Sequence, residues 1–87
     1  SNVLLVISDE QHAVAAVEGL KSYNYSPFVV KGIVVIDKSM TGDMVNNIRV
    51  VANRDNMYKY VKEHVIDEVF LEYSGDDLEY IVNNFLS

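Results

Sequence analysis

The sequence predicts an α/β domain built as three layers, αβα, around a mainly parallel sheet of four strands. Two observations carry this. β-Branched apolar runs alternate along the chain with segments of helical periodicity, and strands that alternate with helices imply a sheet covered on both faces. The chain also has the size of one domain, 87 residues with 49% hydrophobic content. A chain of that length buries a little over ~60% of its unfolded surface, enough for a single core.

Residues 3–7 (VLLVI) read as a buried first strand. The helix after it runs to about Gly19 and Leu20. Ala13, Ala16, Val17 and Leu20 give it a narrow face of small residues suited to close packing on a sheet, and Lys21 offsets the negative end of its dipole. Tyr23, Asn24, Tyr25 and Ser26 form the turn out, with Pro27 holding Ser26 extended. Residues 28–36 (FVVKGIVVI) are the second strand, and Gly32 in their midst marks a bulge or a close backbone approach.

Residues 37–47 are polar, carry Gly42 and read as a loop with one helical turn. A short third strand follows at 48–51. Asn53 caps a second helix that reaches about His64, with Met57, Tyr60 and Val61 facing inward. Asp67 and Glu68 shape the turn into a fourth strand at 69–71. Ser74 and Asp77 stand at capping-box spacing before a third helix, where Leu78, Ile81, Val82 and Phe85 make the cleanest amphipathic pattern in the chain. A doubly wound unit continues from such a helix to a fifth strand. The single domain, residues 1–87, is therefore expected to be a piece of something longer, with the edge of its fourth strand open to pairing with a second copy. Ser1 and Asn2 carry no weight in this reading.

The turn after the first strand is where dinucleotide-binding domains place a glycine-rich phosphate loop. Here it reads Ser8-Asp9-Glu10-Gln11-His12, with no glycine before Gly19. Ser8 and Gln11 fit a capping box, and Asp9 and Glu10 then lie in the first helical turn, where they offset the dipole. A helix start of this kind satisfies its own donors and repels a phosphate. Asp37, at the end of the second strand, stands where such folds keep the acid that holds ribose hydroxyls; its alternative reading is a turn-forming Asp. Ser8, Asp9 and Asp37 are thus the candidate ligand-binding residues, at a degenerate site.

Composition narrows the function classes. The formal net charge is −6 and the seven Lys and Arg residues are scattered, so no basic track exists for a nucleic acid or an anionic leaflet. No apolar run approaches the ~20 residues needed to cross a bilayer. Without cysteine there is no disulfide, Cys-based zinc or thiol redox chemistry. His12 and His64 are distant in sequence, and Asp76, Asp77 and Glu79 read as a dipole-offsetting helix start, so neither metal nor nucleophile is expected. A receiver-like module would use Asp9 and Glu10 as its acidic pair, but the fourth strand ends in Leu71-Glu72-Tyr73, without the required Asp.

Three segments carry a family resemblance. Residues 28–37 (FVVKGIVVID) are similar to a "V-x-G-F-V-D-D" strand, and residues 61–71 (VKEHVIDEVFL) to a "V-x-x-x-x-V-D-E-V-I-I" segment. Residues 3–7 lead similarly into the first helix, and residues 48–52 fall where a "V-P-V-L-G" strand is expected. With these, most of the chain resembles the Rossmann-like, CoA-binding-like cytoplasmic domain of bacterial polyprenyl-phosphate sugar-1-phosphate transferases, which start capsule and exopolysaccharide assembly. The chain departs from that family in its glycine-free first turn and in the missing fifth strand. The resemblance implies a non-catalytic regulatory or interaction domain at the cytoplasmic face of the inner membrane. Its partners would be the other domains of the parent transferase or a second copy, with no cofactor. The alternative is a sensor that binds a nucleotide, nucleotide-sugar or coenzyme A at the carboxyl rim of the sheet.

Overall fold

Val3, Leu4, Leu5, Val6 and Ile7 are all fully buried, a pattern that a central strand covered on both faces produces. The computed structural model describes residues 1–22 and 27–87. That central strand is β1 (Asn2–Ile7), followed by a 3-10 turn (Glu10–His12) and α1 (Ala13–Lys21). Then come β2 (Val29–Val35), β3 (Met44–Val45), β4 (Ile48–Ala52), α2 (Met57–Glu63), β5 (Glu68–Glu72) and α3 (Leu78–Leu86). The turn expected at residues 23–26 lies outside the described residues.

The sheet has five strands in the order β3-β4-β2-β1-β5. β1 pairs in parallel with β2 and β5, and β2 in parallel with β4, while β3 runs antiparallel to β4. The expected four-stranded sheet is corrected to a five-stranded mixed one. The added strand lies within residues 37–47, which were expected to hold a helical turn. Asn46 and Asn47 both adopt positive φ, 50° and 64°, as a two-residue type I′ turn requires. They fold Met44–Val45 back onto Arg49 and Ile48.

Gly32 is a bulge and a close approach at once. Val3 pairs with Val30 but Leu4 with Gly32, which leaves Lys31 as the extra residue of β2. The neighbouring ladder also slips, from Ile33–Val50 to Val34–Ala52, and the extra residue there is Val51.

Crossovers of one hand that run in opposite directions across a sheet need their helices on opposite faces. The β1–α1–β2 and β4–α2–β5 connections run in opposite directions, and the helices are so placed. Ala13, Ala16, Val17 and Leu20 of α1 pack with Leu5, Ile7, Ile33 and Val35 on one face. Met57 of α2 and Ile81 of α3 pack with Leu4, Val6 and Val34 on the other, joined by the partly buried Tyr60, Val61 and Phe85. Ile81 is the fully buried residue of α3. Truncating such a side chain to Ala costs about 2–5 kcal/mol, a large share of the stability of a domain this small.

Local signals were met in part. Asn53 Oδ1 accepts from the backbone N–H groups of Asp55 and Asn56 at 2.9 and 3.1 Å, and Asn56 Oδ1 accepts from Asn53 N–H at 2.8 Å. This reciprocal pair starts the turn into α2. The expected Ser74–Asp77 box does not form, because no side-chain cap closes α3 and the Asp77 carboxylate is engaged by Tyr73 and Arg54 instead. Asn2 belongs to β1. Its N–H donates to Asp67 Oδ2 at 2.7 Å and its carbonyl accepts from Asp67 N–H at 2.8 Å. Asp67 thereby sets the start of β5 against β1, the turn-shaping role its position implied.

Candidate functional site

All the parallel strands end on one rim of the sheet, and the crevice in it lies where the chain leaves β1 and β5 toward opposite faces. A ligand of an open α/β sheet binds at such a point. Ser8 and Asp9 stand at the end of β1, Asp37 follows β2, and Tyr73, Ser74 and Gly75 follow β5.

Ser8 does not cap the helix as the capping-box spacing suggested. The ladders on both sides of β1 run one residue further than its apolar stretch. Ser8 N–H donates to the Glu72 carbonyl at 3.2 Å, and the Ser8 carbonyl accepts from Asp37 N–H at 3.0 Å. Held extended in this way, Ser8 passes the cap to the next residue. Asp9, at φ −149° and ψ 167°, is the N-cap of the 3-10 turn, and its Oδ1 accepts from His12 N–H at 3.2 Å. The His12 ring Nδ1 lies 2.7 Å from the same oxygen. That side-chain hydrogen bond is the main reason the Asp9 carboxyl is held below its usual value, against the opposing effect of desolvation.

The structure therefore brings Ser8 and Asp37 together through the backbone, with Asp9 beside them. Asp37 is exposed. Lys38, next to it, reaches back to the Glu10 carboxylate at 3.2 Å and ties the end of β2 to the 3-10 turn. Sequence reasoning missed this pair, since Glu10 and Lys38 are 28 positions apart and only the β1–β2 pairing makes them neighbours. The rim around Ser8 thus carries Asp9, Glu10 and Asp37, with Glu72 at the end of the neighbouring β5, and Lys38 beside them is already paired. An incoming phosphate meets carboxylates there, and the His12 N–H donor of the turn is taken by Asp9.

On the β5 side the Tyr73 hydroxyl donates to the Asp77 carboxylate, which also pairs with Arg54. The chain between them is tight: a Cβ on Gly75 would collide with the Tyr73 ring. Among the described residues no group of three or more His, Cys, Asp or Glu side chains is placed to hold a metal. No helix among them is long and apolar enough to cross a membrane.

A cavity of about 550 Å³ is at the opposite end of the sheet. It lies between the end of α1 (Val17, Leu20), the start of β2 (Phe28, Val30) and the β3–β4 turn. Two smaller concavities flank the outer edge of β5, about 320 Å³ on the α3 face and about 290 Å³ on the α1 face.

No protein-family model, curated protein or solved structure matches the chain.

Proposed function

We propose that this chain is a non-catalytic interaction domain that serves a membrane-bound polyprenyl-phosphate sugar-1-phosphate transferase. The observation that carries the non-catalytic part is the state of the rim. The turn after β1 uses its own carboxylate to cap the helix, its backbone is bound into the sheet through Ser8, and acidic side chains surround it. A crevice so arranged disfavours the phosphorylated ligands that this kind of fold otherwise takes. The transferase context rests on the resemblance of residues 28–37 and 61–71, and the Asp67 contact to Asn2 supplies a physical role for the Asp of the second segment.

A second reading is a sensor for a nucleotide, nucleotide-sugar or coenzyme A. What favours it is the strand order. Counting the parallel strands alone, they lie third, second, first, fourth across the sheet, the first part of the Rossmann order. Asp37 stands exposed after the second of them, the strand after which dinucleotide-binding folds keep the acid for the ribose.

A thermal-shift panel with NAD(H), NADP(H), coenzyme A, ATP and UDP-sugars separates the two. A ligand at 100 times its dissociation constant adds about 2.7 kcal/mol, several degrees in a domain this small. The interaction reading expects no shift with any of them, and no transfer of sugar phosphate when the purified chain is given UDP-sugar and undecaprenyl phosphate. A shift that disappears in Asp37→Ala would replace it with the sensor.

A further inference from the structure

β5 is the outermost parallel strand, and among the described residues its sole strand partner is β1. Ser8 N–H donates to the Glu72 carbonyl, so by the alternation of ladder groups the backbones of Val69 and Leu71 face outward. The side chains along this edge are half-buried: Val69 and Leu71 toward α3, Phe70 toward α1. A concavity lies on each face beside it, apolar on the α3 side and of mixed polarity on the α1 side. One is lined by Val69, Leu71, Val82, Phe85 and Leu86, and Leu86 is 79% exposed. The other is lined by Leu5, Ala16, Leu20 and Phe70 together with Ser22 and Glu72. An added strand would place alternate side chains in the two concavities while its backbone completes the ladder.

The charges choose the occupant. Glu68 and Glu72 bracket the apolar Val69-Phe70-Leu71. A second copy docked antiparallel with the apolar triplets opposed would set Glu68 against Glu72 at both ends, and like charges directly opposite are destabilising. We propose that β5 is the docking edge for an extended segment of a partner protein, apolar at three successive positions and bounded by Lys or Arg. This rests on the interaction reading above and names the chemistry of its partner.

The test is a fluorescence-anisotropy titration of the 87-residue chain with two labelled peptides, Thr-Lys-Val-Val-Val-Lys-Thr and Thr-Glu-Val-Val-Val-Glu-Thr. Hydrogen exchange is followed at the Val69 and Leu71 amides. Both peptides are palindromic, so strand direction does not bias the result. The Lys peptide should bind more tightly, on the order of tenfold from two cross-strand charge pairs. It should slow exchange at Val69 and Leu71. The surface double variant Glu68→Lys, Glu72→Lys should invert the preference. Equal affinity for the two peptides, or binding without protection of those amides, overturns the proposal. So does a concentration-dependent dimer that protects them in the absence of peptide, which would make a second copy the occupant. No binding of either peptide also overturns it. Combined with a nucleotide thermal shift, that result removes the interaction reading too; without a shift, it removes only strand addition at β5.

Discussion

Gly32 of β2 lies directly beneath the Val51 side chain of β4: a Cβ built on Gly32 would stand 2.5 and 2.6 Å from the two Val51 methyl carbons and 3.1 Å from its Cβ. Both methyls crowd the same point, so no Val51 rotamer relieves the contact. Gly32→Ala should therefore destabilise the domain by about 1–3 kcal/mol, the range for overpacking a well-filled interior. Urea melts of Gly32→Ala, Val51→Ala and the double variant check this. Much of the Gly32→Ala cost should be recovered in the Val51→Ala background, as coupling between touching residues requires. A Gly32→Ala cost that is the same in both backgrounds would show that the bulge, and not the methyl contact, excludes a side chain.

The β3–β4 hairpin makes an opposite prediction. Asn47 has φ 64°, a conformation that costs an ordinary L-residue roughly 1–2 kcal/mol and glycine almost nothing. Asn-Gly is the preferred pair for this turn. Asn47→Gly should hold or raise the melting temperature, while Asn47→Val should lower stability by about 1 kcal/mol or more. If Asn47→Val melts with the parent protein, the turn is not held in the type I′ form.

These two sites also show what the sequence made legible. Gly32 inside a β-branched run announced its bulge, since a strand interior gives up a side chain where the backbone bulges or a neighbour comes close. The apolar faces of α1 and α3 were legible for the same kind of reason: Ala13, Ala16, Val17 and Leu20, and Ile81 with Phe85, repeat at the helical period and lie inward. The hairpin was not legible from periodicity, because a two-residue strand has none. Its only sign was the Asn46-Asn47 pair, which tolerates positive φ. The cap at Asp9 was missed because Ser8 has the right chemistry and the right spacing to Gln11. Ladder bonds to Glu72 and Asp37 keep Ser8 in the sheet, and those depend on strands distant in sequence. The parallel pairing of β1 and β2 makes the ends of those strands neighbours, but the ion pair between Glu10 and Lys38 needed the fold to bring it together.

Asp9 should give the domain a recognisable acid limb. Its folded carboxyl lies below the usual value of 3.8, chiefly through the His12 side-chain hydrogen bond. A lowered carboxyl contributes stability above its unfolded value, and that contribution is lost as pH falls through the folded one. The urea midpoint should therefore fall as the solution is taken below about pH 4. Asn at this position keeps a side-chain oxygen for the cap but carries no charge. Asp9→Asn should then flatten the acid limb and lose at neutral pH only the charge-dependent share that the limb measures, whereas Asp9→Ala should lose the cap as well. An acid limb of the same steepness in Asp9→Asn and the parent would assign it to other carboxylates.

Three contacts meet at the start of α3, and their magnitudes rank them. The Arg54–Asp77 pair is partly exposed, with side-chain accessibilities of 39% and 36%, so Arg54→Ala should cost no more than about 1 kcal/mol. The Tyr73 hydroxyl bond to Asp77 is part-buried, and Tyr73→Phe should cost about 1 kcal/mol. Gly75→Ala is the most damaging of the three. Its methyl would overlap the Tyr73 ring, which is fixed at its far end by that hydroxyl bond and cannot swing aside without breaking it. Moving the half-buried ring aside gives up that bond, so the expected loss is at least about 1 kcal/mol. Removing the ring should therefore abolish the effect: in a Tyr73→Ala background, Gly75→Ala should be close to neutral in chemical denaturation. If it remains as costly there, the backbone at Gly75 itself, and not the Tyr73 ring, is what requires glycine.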